Sequence, residues 1–482
     1  MASRGETYFS EMQKYELERL VGPENVLTDE AEIDAQALDV WWVTRFWRFT
    51  GLDYPRPSAI VFPENTQQVI QLVQFCNDHK TPLIPRGGGA GDAGGSVPLT
   101  GGIVADLKKM DRVLEINEKS LTVRAQPGIL QKHLEEHLNR HGYTMNHFPA
   151  SFTTSALGGF ISTNGTGVLS SKYGKLSDMV HQLEVVLPDG RLFRSLPVRL
   201  HSTGPDYSRL FIGAEGTLGI ITEALCAIHH LPEKRVFRGF LLQDLAGGIE
   251  VGRQIMSRNL QPCLLRLYDE KDSAHILKSQ FDLEVAGCVL LIGFDGLERI
   301  VRGQEEVAYE MLARAGGKDL GEKPGLAWWE GRYKSYYPPN DFIAYPWMTA
   351  VTDTVGPYEK IEAIYAAMKA AVEEGFKEWK ASFFAHFSHW YTWGTSIYPT
   401  FLVKDYPKDN REAFRLFNRI MDAAIRAAIA NGGVANEHHG VGLKGGRFLR
   451  EVYGEGFELH RRIKQALDPN NIMNPGKLGL GE

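Results

Sequence analysis

The sequence predicts an α+β protein in two parts: a pair of small α/β lobes, then an antiparallel sheet backed by helices. Three observations predict it. Short strand-like and helix-like pieces alternate between residues 57 and 232. After Pro232 the rhythm changes to longer β-α-β-β-α units, as in a sheet covered by helices on one face. The chain of 482 residues also exceeds what one hydrophobic core usually serves.

Taken in order, helical patterning covers 6–21 and 30–48. The second stretch ends in Trp41, Trp42, Phe46 and Trp47, which read as core or interdomain packing, or as an aromatic wall near a substrate. Ala59 to Pro63 reads as a strand, Thr66 as a helix N-cap, and Val69 to His79 as an amphipathic helix. Strands follow at 113–117 and 120–125, and a helix at 128–141 stops at Gly142. Leu183 to Arg191 predicts a hairpin turning at Asp189-Gly190. Beyond Pro232, strands are expected at 236–242, 263–268, 287–294, 342–351, 382–390 and 396–403. Helices are expected at 245–258, 297–315, 357–375 and 410–430, and Tyr336 to Asn340 marks a Pro-rich loop. The division that follows is an N-terminal helical segment 1–56, a ligand-binding unit 57–235, a cap 236–433, and a C-terminal segment 434–482.

The most informative stretch is Pro85, Arg86, Gly87, Gly88, Gly89, Ala90, Gly91, Asp92, Ala93, Gly94, Gly95. Six glycines in the nine positions 87–95 leave backbone almost free of Cβ atoms, able to turn its N–H groups onto an anion. Gly89, Gly91 and Gly94 match the Rossmann spacing, but that fingerprint leads into a helix. Here Ser96-Val97-Pro98 and Gly101-Gly102-Ile103 follow, a loop entering another strand. Two later stretches mix glycines with hydroxyl side chains, a composition suited to a polar ligand. One holds Pro149, Ala150, Ser151, Gly158, Gly159, Ser162, Asn164, Gly165, Gly167 and Tyr173; the other holds Glu215, Gly219, Ile220 and Ile221.

In chain order these three stretches, with the ending Asp468-Pro469-Asn470-Asn471-Ile472-Met473-Asn474-Pro475-Gly476-Lys477, resemble the vanillyl-alcohol oxidase / p-cresol methylhydroxylase flavoprotein superfamily. The resemblance implies a two-lobed p-cresol methylhydroxylase-type FAD-binding domain under an antiparallel cap. It assigns the glycine loop to the pyrophosphate and the other two stretches to the flavin and adenosine. Ala90 stands where relatives carry an attachment histidine, so FAD is expected to be bound non-covalently.

Composition narrows the partners. A net charge of −6 lacks the basic footprint of a nucleic-acid binder. Cys76, Cys226, Cys263 and Cys288 lie far apart and read as buried thiols, not a disulfide framework. No hydrophobic signal region opens the chain and no apolar run is long enough for a bilayer span. The expectation is a cytoplasmic enzyme, a homodimer, with a small-molecule substrate and either oxygen or a redox partner as electron acceptor.

Four cap and C-terminal segments carry polar groups for chemistry: Arg266 with Tyr268 and Asp269; Trp328, Trp329 and Arg332; His386 and His389 before Tyr391 and Tyr398; and Glu437, His438 and His439. Histidine titrates near neutral pH, which makes His438 and His439 candidate acid/base residues. His386 and His389, three apart in a strand, are expected to face opposite sides.

Two branches of the superfamily bear on the reaction. D-2-hydroxy acid dehydrogenases of the glycolate oxidase D-subunit type hold a metal with two histidines that fall at Tyr391 and Tyr398 here, so no metal is expected. The alkyldihydroxyacetonephosphate synthase branch is the more similar one. Ser202-Thr203-Gly204-Pro205-Asp206, Arg266-Leu267-Tyr268-Asp269, Ile397-Tyr398 and His438-His439-Gly440-Val441-Gly442 resemble its motifs. That resemblance implies Tyr398 as acid/base, Arg266 as a flavin- and substrate-side cation, and His438 and His439 as its partners. The expected function is FAD-dependent oxidation of a hydroxylated substrate, with a synthase-like transferase as the alternative and a D-2-hydroxy acid dehydrogenase behind both.

Overall fold

The β-branched runs of the first half form two small sheets, beside a separate two-stranded pair of Tyr143–Thr144 and His229–His230, in the computed structural model, which describes residues 10–281, 286–334 and 347–481. The first sheet runs in the order Val26–Leu27, Ala59–Val61, Ile103–Asp106, Leu83–Arg86. Its last three strands are parallel, and Leu83–Arg86 delivers the glycine loop at its end. Helix Thr66–Asp78 covers it and is capped by Asn65, whose side chain accepts from the Gln68 N–H; the cap is one residue earlier than the expected Thr66. The second sheet is antiparallel, in the order Val113–Asn117, Thr122–Ala125, Ile220–Ala227, Val180–Val186, Leu192–Arg194. The expected turn at Asp189-Gly190 joins its last two strands.

The second half builds one antiparallel sheet of eight strands. Its order is Lys318–Gly321, Lys234–Leu242, Cys288–Gly296, Leu264–Tyr268, Ser382–Phe387, Gly394–Val403, Met348–Val351, and Thr354–Pro357 also pairs with Gly394–Val403. Helices Leu245–Ser257, Glu298–Arg314, Tyr358–Glu373 and Asn410–Ala430 bury their apolar stripes against it in the largest core of the molecule. The expected alternation of strands and helices is therefore present, with shifts at the ends. The Pro-rich stretch Tyr336 to Asn340, residues 6–9 and residues 342–346 lie outside the described residues.

The single helix expected over 30–48 is two helices, Glu30–Gln36 and Trp42–Thr50. Residues between them spend their hydrogen bonds on the glycine loop instead. The Val40 N–H donates to the Gly91 carbonyl at 3.0 Å, and the Leu38 carbonyl accepts from Arg86 Nη2 at 3.1 Å. Trp42 then stacks on Phe417 of the cap, ring centroids 4.4 Å apart, so the segment bridges loop and cap. All four cysteines are buried free thiols.

A second bridge is the buried carboxylate of Asp295, at the end of a cap strand. It accepts from Lys172 Nζ at 2.9 Å, Tyr173 OH at 2.8 Å and Arg235 Nη2 at 2.8 Å. Removing one member strands buried charge, which costs about 3–5 kcal/mol. Asp295→Ala is therefore expected to lower unfolding free energy by that amount in urea titrations. Asp319→Ala, which breaks an exposed pair with Arg238, should cost no more than about 1 kcal/mol.

Candidate active site

A cavity of about 1070 Å³ lies between the two small sheets and the cap. Its lower wall is backbone-rich: Pro85, Arg86, Gly87, Gly88, Gly89, Ala90, Gly91 and Asp92 from the glycine loop, with Pro149, Ala150, Ser151, Gly158, Gly159, Ser162, Gly165, Glu215, Gly219, Ile220 and Ile221. Its upper wall is the cap, with Arg266, Arg332, His386, His389 and Tyr398, closed by His438, His439 and Lys444. The three stretches singled out in the sequence thus meet on one surface, opposite the four polar segments.

The glycines are needed for close approach. A Cβ on Gly88 would sit 1.6 Å from the Thr154 carbonyl oxygen. One on Gly89, whose φ is +64°, would sit 2.0 Å from Arg86 Nη2. Arg86 packs beneath the loop, 3.8 Å from Asp106, with its Nε and Nη1 buried and lacking hydrogen-bond partners among the described residues. Trp41 Nε1, Thr166 Oγ1 and both ring nitrogens of His147 are likewise buried and unsatisfied, and all three residues line the cavity. Orphaned buried polar atoms around a backbone cradle are what a large polar ligand would satisfy. This donor set fits a flavin dinucleotide.

Three expected ligand-binding residues do not line the cavity. Asn164 accepts from the Ser177 N–H at 3.0 Å and shapes the local turn. Gly167 leaves room for the Phe148 backbone, which a Cβ would meet at 2.7 Å. Tyr173 belongs to the Asp295 cluster. Glu215 does line the wall but also ties down the C-terminal segment, accepting from the N–H groups of Val441 at 2.7 Å and Gly442 at 2.9 Å. Burial pushes its carboxyl up to about 7 against those bonds.

The predicted chemical residues are brought together. Tyr398 stacks on His386 with centroids 4.6 Å apart and lies 5.7 Å from the His438 ring and 5.4 Å from the His439 ring. Arg266 donates to the Tyr268 hydroxyl at 2.7 Å and to His386 Nε2 at 2.6 Å. Accepting at Nε2 leaves the His386 proton on Nδ1, 3.3 Å from Asp272. Burial and then the Arg266 charge hold this imidazole neutral, far below its usual range. His386 and His389 both line the cavity, contrary to the strand argument, because the strand ends at Phe387 and the chain turns. His389 Nδ1 then reaches Ser170 Oγ at 2.7 Å.

The residue that sequence reasoning missed is Asp353, between two cap strands. Its carboxylate meets His439 Nδ1 at 2.6 Å, His438 Nδ1 at 3.1 Å and the His438 N–H at 2.7 Å. Glu437 adds a 2.6 Å contact to His438 Nδ1 and is itself held by Lys175 and the Tyr391 hydroxyl, each at 2.7 Å. Burial lowers the His438 pKa, but the Asp353 and Glu437 charges outweigh it and raise it to about 9. Against burial, His439 and then His438 hold Asp353 well below the usual carboxylate range. Ligand atoms of Asp353, His438 and His439, and separately of His389, Glu437 and His438, lie within 4.8 Å of one another. Each group is already engaged in these hydrogen bonds.

A family model described as FAD linked oxidases, C-terminal domain, matches residues 231–478, and one described as FAD binding domain matches residues 57–195. Alkyldihydroxyacetonephosphate synthase of Dictyostelium discoideum is 29% identical over 452 residues, 88% of this chain and 73% of that protein. Glycolate oxidase subunit GlcD of Bacillus subtilis (strain 168) is 29% identical over 434 residues, covering 88% and 89%. A solved alkyldihydroxyacetonephosphate synthase superposes with a TM-score of 0.79 at 26% identity, over 96% of this chain and 84% of that one. Substrate-bound p-cresol methylhydroxylase superposes with a TM-score of 0.78 at 18% identity, over 100% and 98%, which establishes the α+β fold type.

Two outcomes test this geometry. Gly88→Val should yield protein that retains no flavin after gel filtration, read as the ratio of visible to 280 nm absorbance. The raised His438 pKa also sets a pH dependence. A group bound more tightly to its proton in the folded state stabilises fully below its unfolded pKa of 6.5 and loses that contribution as pH climbs towards about 9. Stability should thus fall between these values, and Asp353→Asn should flatten that fall in thermal-melt series.

Proposed function

Because the chain belongs to the FAD-linked oxidases and is an FAD-dependent oxidoreductase, we propose that it oxidises a hydroxylated organic substrate by removing hydride from the carbon bearing the hydroxyl. The observation that carries this reading is the grouping of Tyr398, His438, His439 and Arg266 on the cap wall facing the glycine cradle. Bound FAD supplies the hydride acceptor, held non-covalently by the glycine loop and the 149–165 and 215–221 stretches.

The chain supplies the rest. Arg266, kept rigid by Tyr268 and His386, orients an anionic or polar substituent of the substrate through a planar fork. The Asp353 and Glu437 carboxylates favour the protonated form of His438, and that charge suits it to stabilise an oxyanion forming nearby. Proton removal falls to Tyr398, which takes the proton of the substrate hydroxyl while passing its own phenolic proton to His439 beside it. The Asp353 bond to His439 Nδ1 fixes the tautomer that leaves Nε2 available. The scheme uses no metal, as Tyr391 and Tyr398 in place of the two ligand histidines of the hydroxy-acid branch imply.

A second reading, redox-neutral exchange of the alkyldihydroxyacetonephosphate synthase type, is favoured by the similarity to those enzymes in sequence and structure. Anaerobic mixing with hydroxy acids, phenolic alcohols and glycerol phosphates, and in a separate reaction with an acyl ester of dihydroxyacetone phosphate plus an alcohol, separates the two. Sustained bleaching of the flavin band by one class supports oxidation; exchange of acyl for alkoxy without net bleaching supports the transferase.

Tyr398→Phe keeps the ring stack and removes only the hydroxyl. Flavin content should stay near normal while the rate of flavin reduction falls by ~10²–10⁴-fold. An unchanged rate would move the proton transfer to His439. Turnover should survive EDTA treatment; its loss, with stoichiometric zinc or manganese in the untreated protein, would refute the metal-free scheme.

A further inference from the structure

We propose that Asp92, in the glycine loop, is the acceptor of a subsite for a ligand hydroxyl. Asp92 is the one acidic side chain in the run 85–95, surrounded by glycines and alanines. It lines the cavity and points its charge towards the C-terminal segment, where Lys444 Nζ donates to Oδ2 at 3.1 Å. Lys444 also donates to the Val351 carbonyl at 3.2 Å, so this lysine is fixed between loop and cap. The other oxygen, Asp92 Oδ1, is buried and has no hydrogen-bond partner among the described residues.

A carboxylate buried on one oxygen without a donor is costly. Against burial, the neighbouring His439 and then Lys444 lower the Asp92 pKa and so favour its ionised form. An ionised carboxylate only accepts hydrogen bonds, so the missing partner is a donor and not an anion. Ligands of a flavin enzyme acting on hydroxylated compounds bring two such donors into this cavity: a ribityl hydroxyl of FAD, or a second hydroxyl on the substrate. Either is an alcohol O–H meeting Asp92 Oδ1. The substrate source rests on the function proposed above; the cofactor source does not.

Three proteins decide it: the parent, Asp92→Ala and Asp92→Asn. Their apo forms are titrated with FAD, following flavin fluorescence. Their FAD-loaded forms are titrated with D-glycerate and with D-lactate, which lacks one hydroxyl, following perturbation of the flavin spectrum. Asp92→Ala should weaken FAD binding, or the preference for glycerate over lactate, by roughly 10- to 150-fold, the worth of one hydrogen bond to a charged group. Asp92→Asn keeps a carbonyl acceptor and should lose distinctly less. A loss in the FAD titration assigns the hydroxyl to the cofactor, and a loss in the glycerate preference assigns it to the substrate. The proposal is overturned if Asp92→Ala changes neither. It is also overturned if both variants lose equally, which would make Asp92 only the counterion of Lys444. Neither titration requires turnover, so failure here is distinct from failure of the oxidation reading.

Discussion

The carboxylate of Asp353 is the contact on which the geometry of the upper cavity depends. It accepts from Asn436 Nδ2 at 2.8 Å, the Glu437 N–H at 2.8 Å, the His438 N–H at 2.7 Å and His439 Nδ1 at 2.6 Å, with His438 Nδ1 3.1 Å away. One buried acid therefore folds the loop 436–439, chooses the tautomer of one histidine and keeps the other charged. Such a network is worth making only when every member is satisfied, because each lost donor leaves a buried charge exposed to a low dielectric. Its position directly before a strand of the cap sheet fixes the histidine loop relative to Tyr398, which rises from the neighbouring strand.

The lower wall obeys a different constraint. There the backbone must come close to its ligand, and side chains are excluded by the contacts at Gly88 and Gly89. What side chains cannot do from inside the loop, others do from behind it: Arg86 beneath, Trp41 and Val40 alongside, Asn474 from the C-terminus. Asn474 Nδ2 donates to the Gly95 and Glu215 carbonyls at 3.0 and 2.7 Å. The two walls are joined by the same segments that shape them, since Trp42 enters the cap core one residue after Trp41 meets the loop.

Much of this was legible in the sequence. Glycine density, the change of rhythm after Pro232 and the histidine pair are local signals, and local signals place elements well. The alternation of strands and helices in the cap follows from periodicity alone, because each helix buries one stripe on one sheet. What local pattern could not supply was pairing across distance. Asp353 reads in sequence as a lone acid between Thr352 and Thr354, and only the fold brings it to residues 436–439. Tyr173 looked like a cavity residue because it precedes Gly174 and follows the glycine-rich stretch 158–167, yet its hydroxyl belongs to Asp295, more than a hundred positions on. The helix expected over 30–48 failed for the same reason: long-range bonds from Arg86 and Gly91 outbid a continuous helical pattern at residues 38–40. His386 and His389 were separated by strand logic that ceased to apply at Phe387.

The claim that a carboxylate-held histidine pair and Tyr398 form the reacting wall is tested most directly by Asp353→Asn. The substitution keeps size and most hydrogen bonds to backbone N–H groups but removes the charge that orients His439 and keeps His438 protonated. Stopped-flow measurement of anaerobic flavin reduction, on protein with normal FAD content and with whichever hydroxylated compound bleaches the parent, gives the answer. A fall of ~10²–10⁴-fold in the reduction rate is the predicted result. Reduction at the parent rate would mean that Asp353 serves the fold alone and that the histidine loop takes no part in the chemistry.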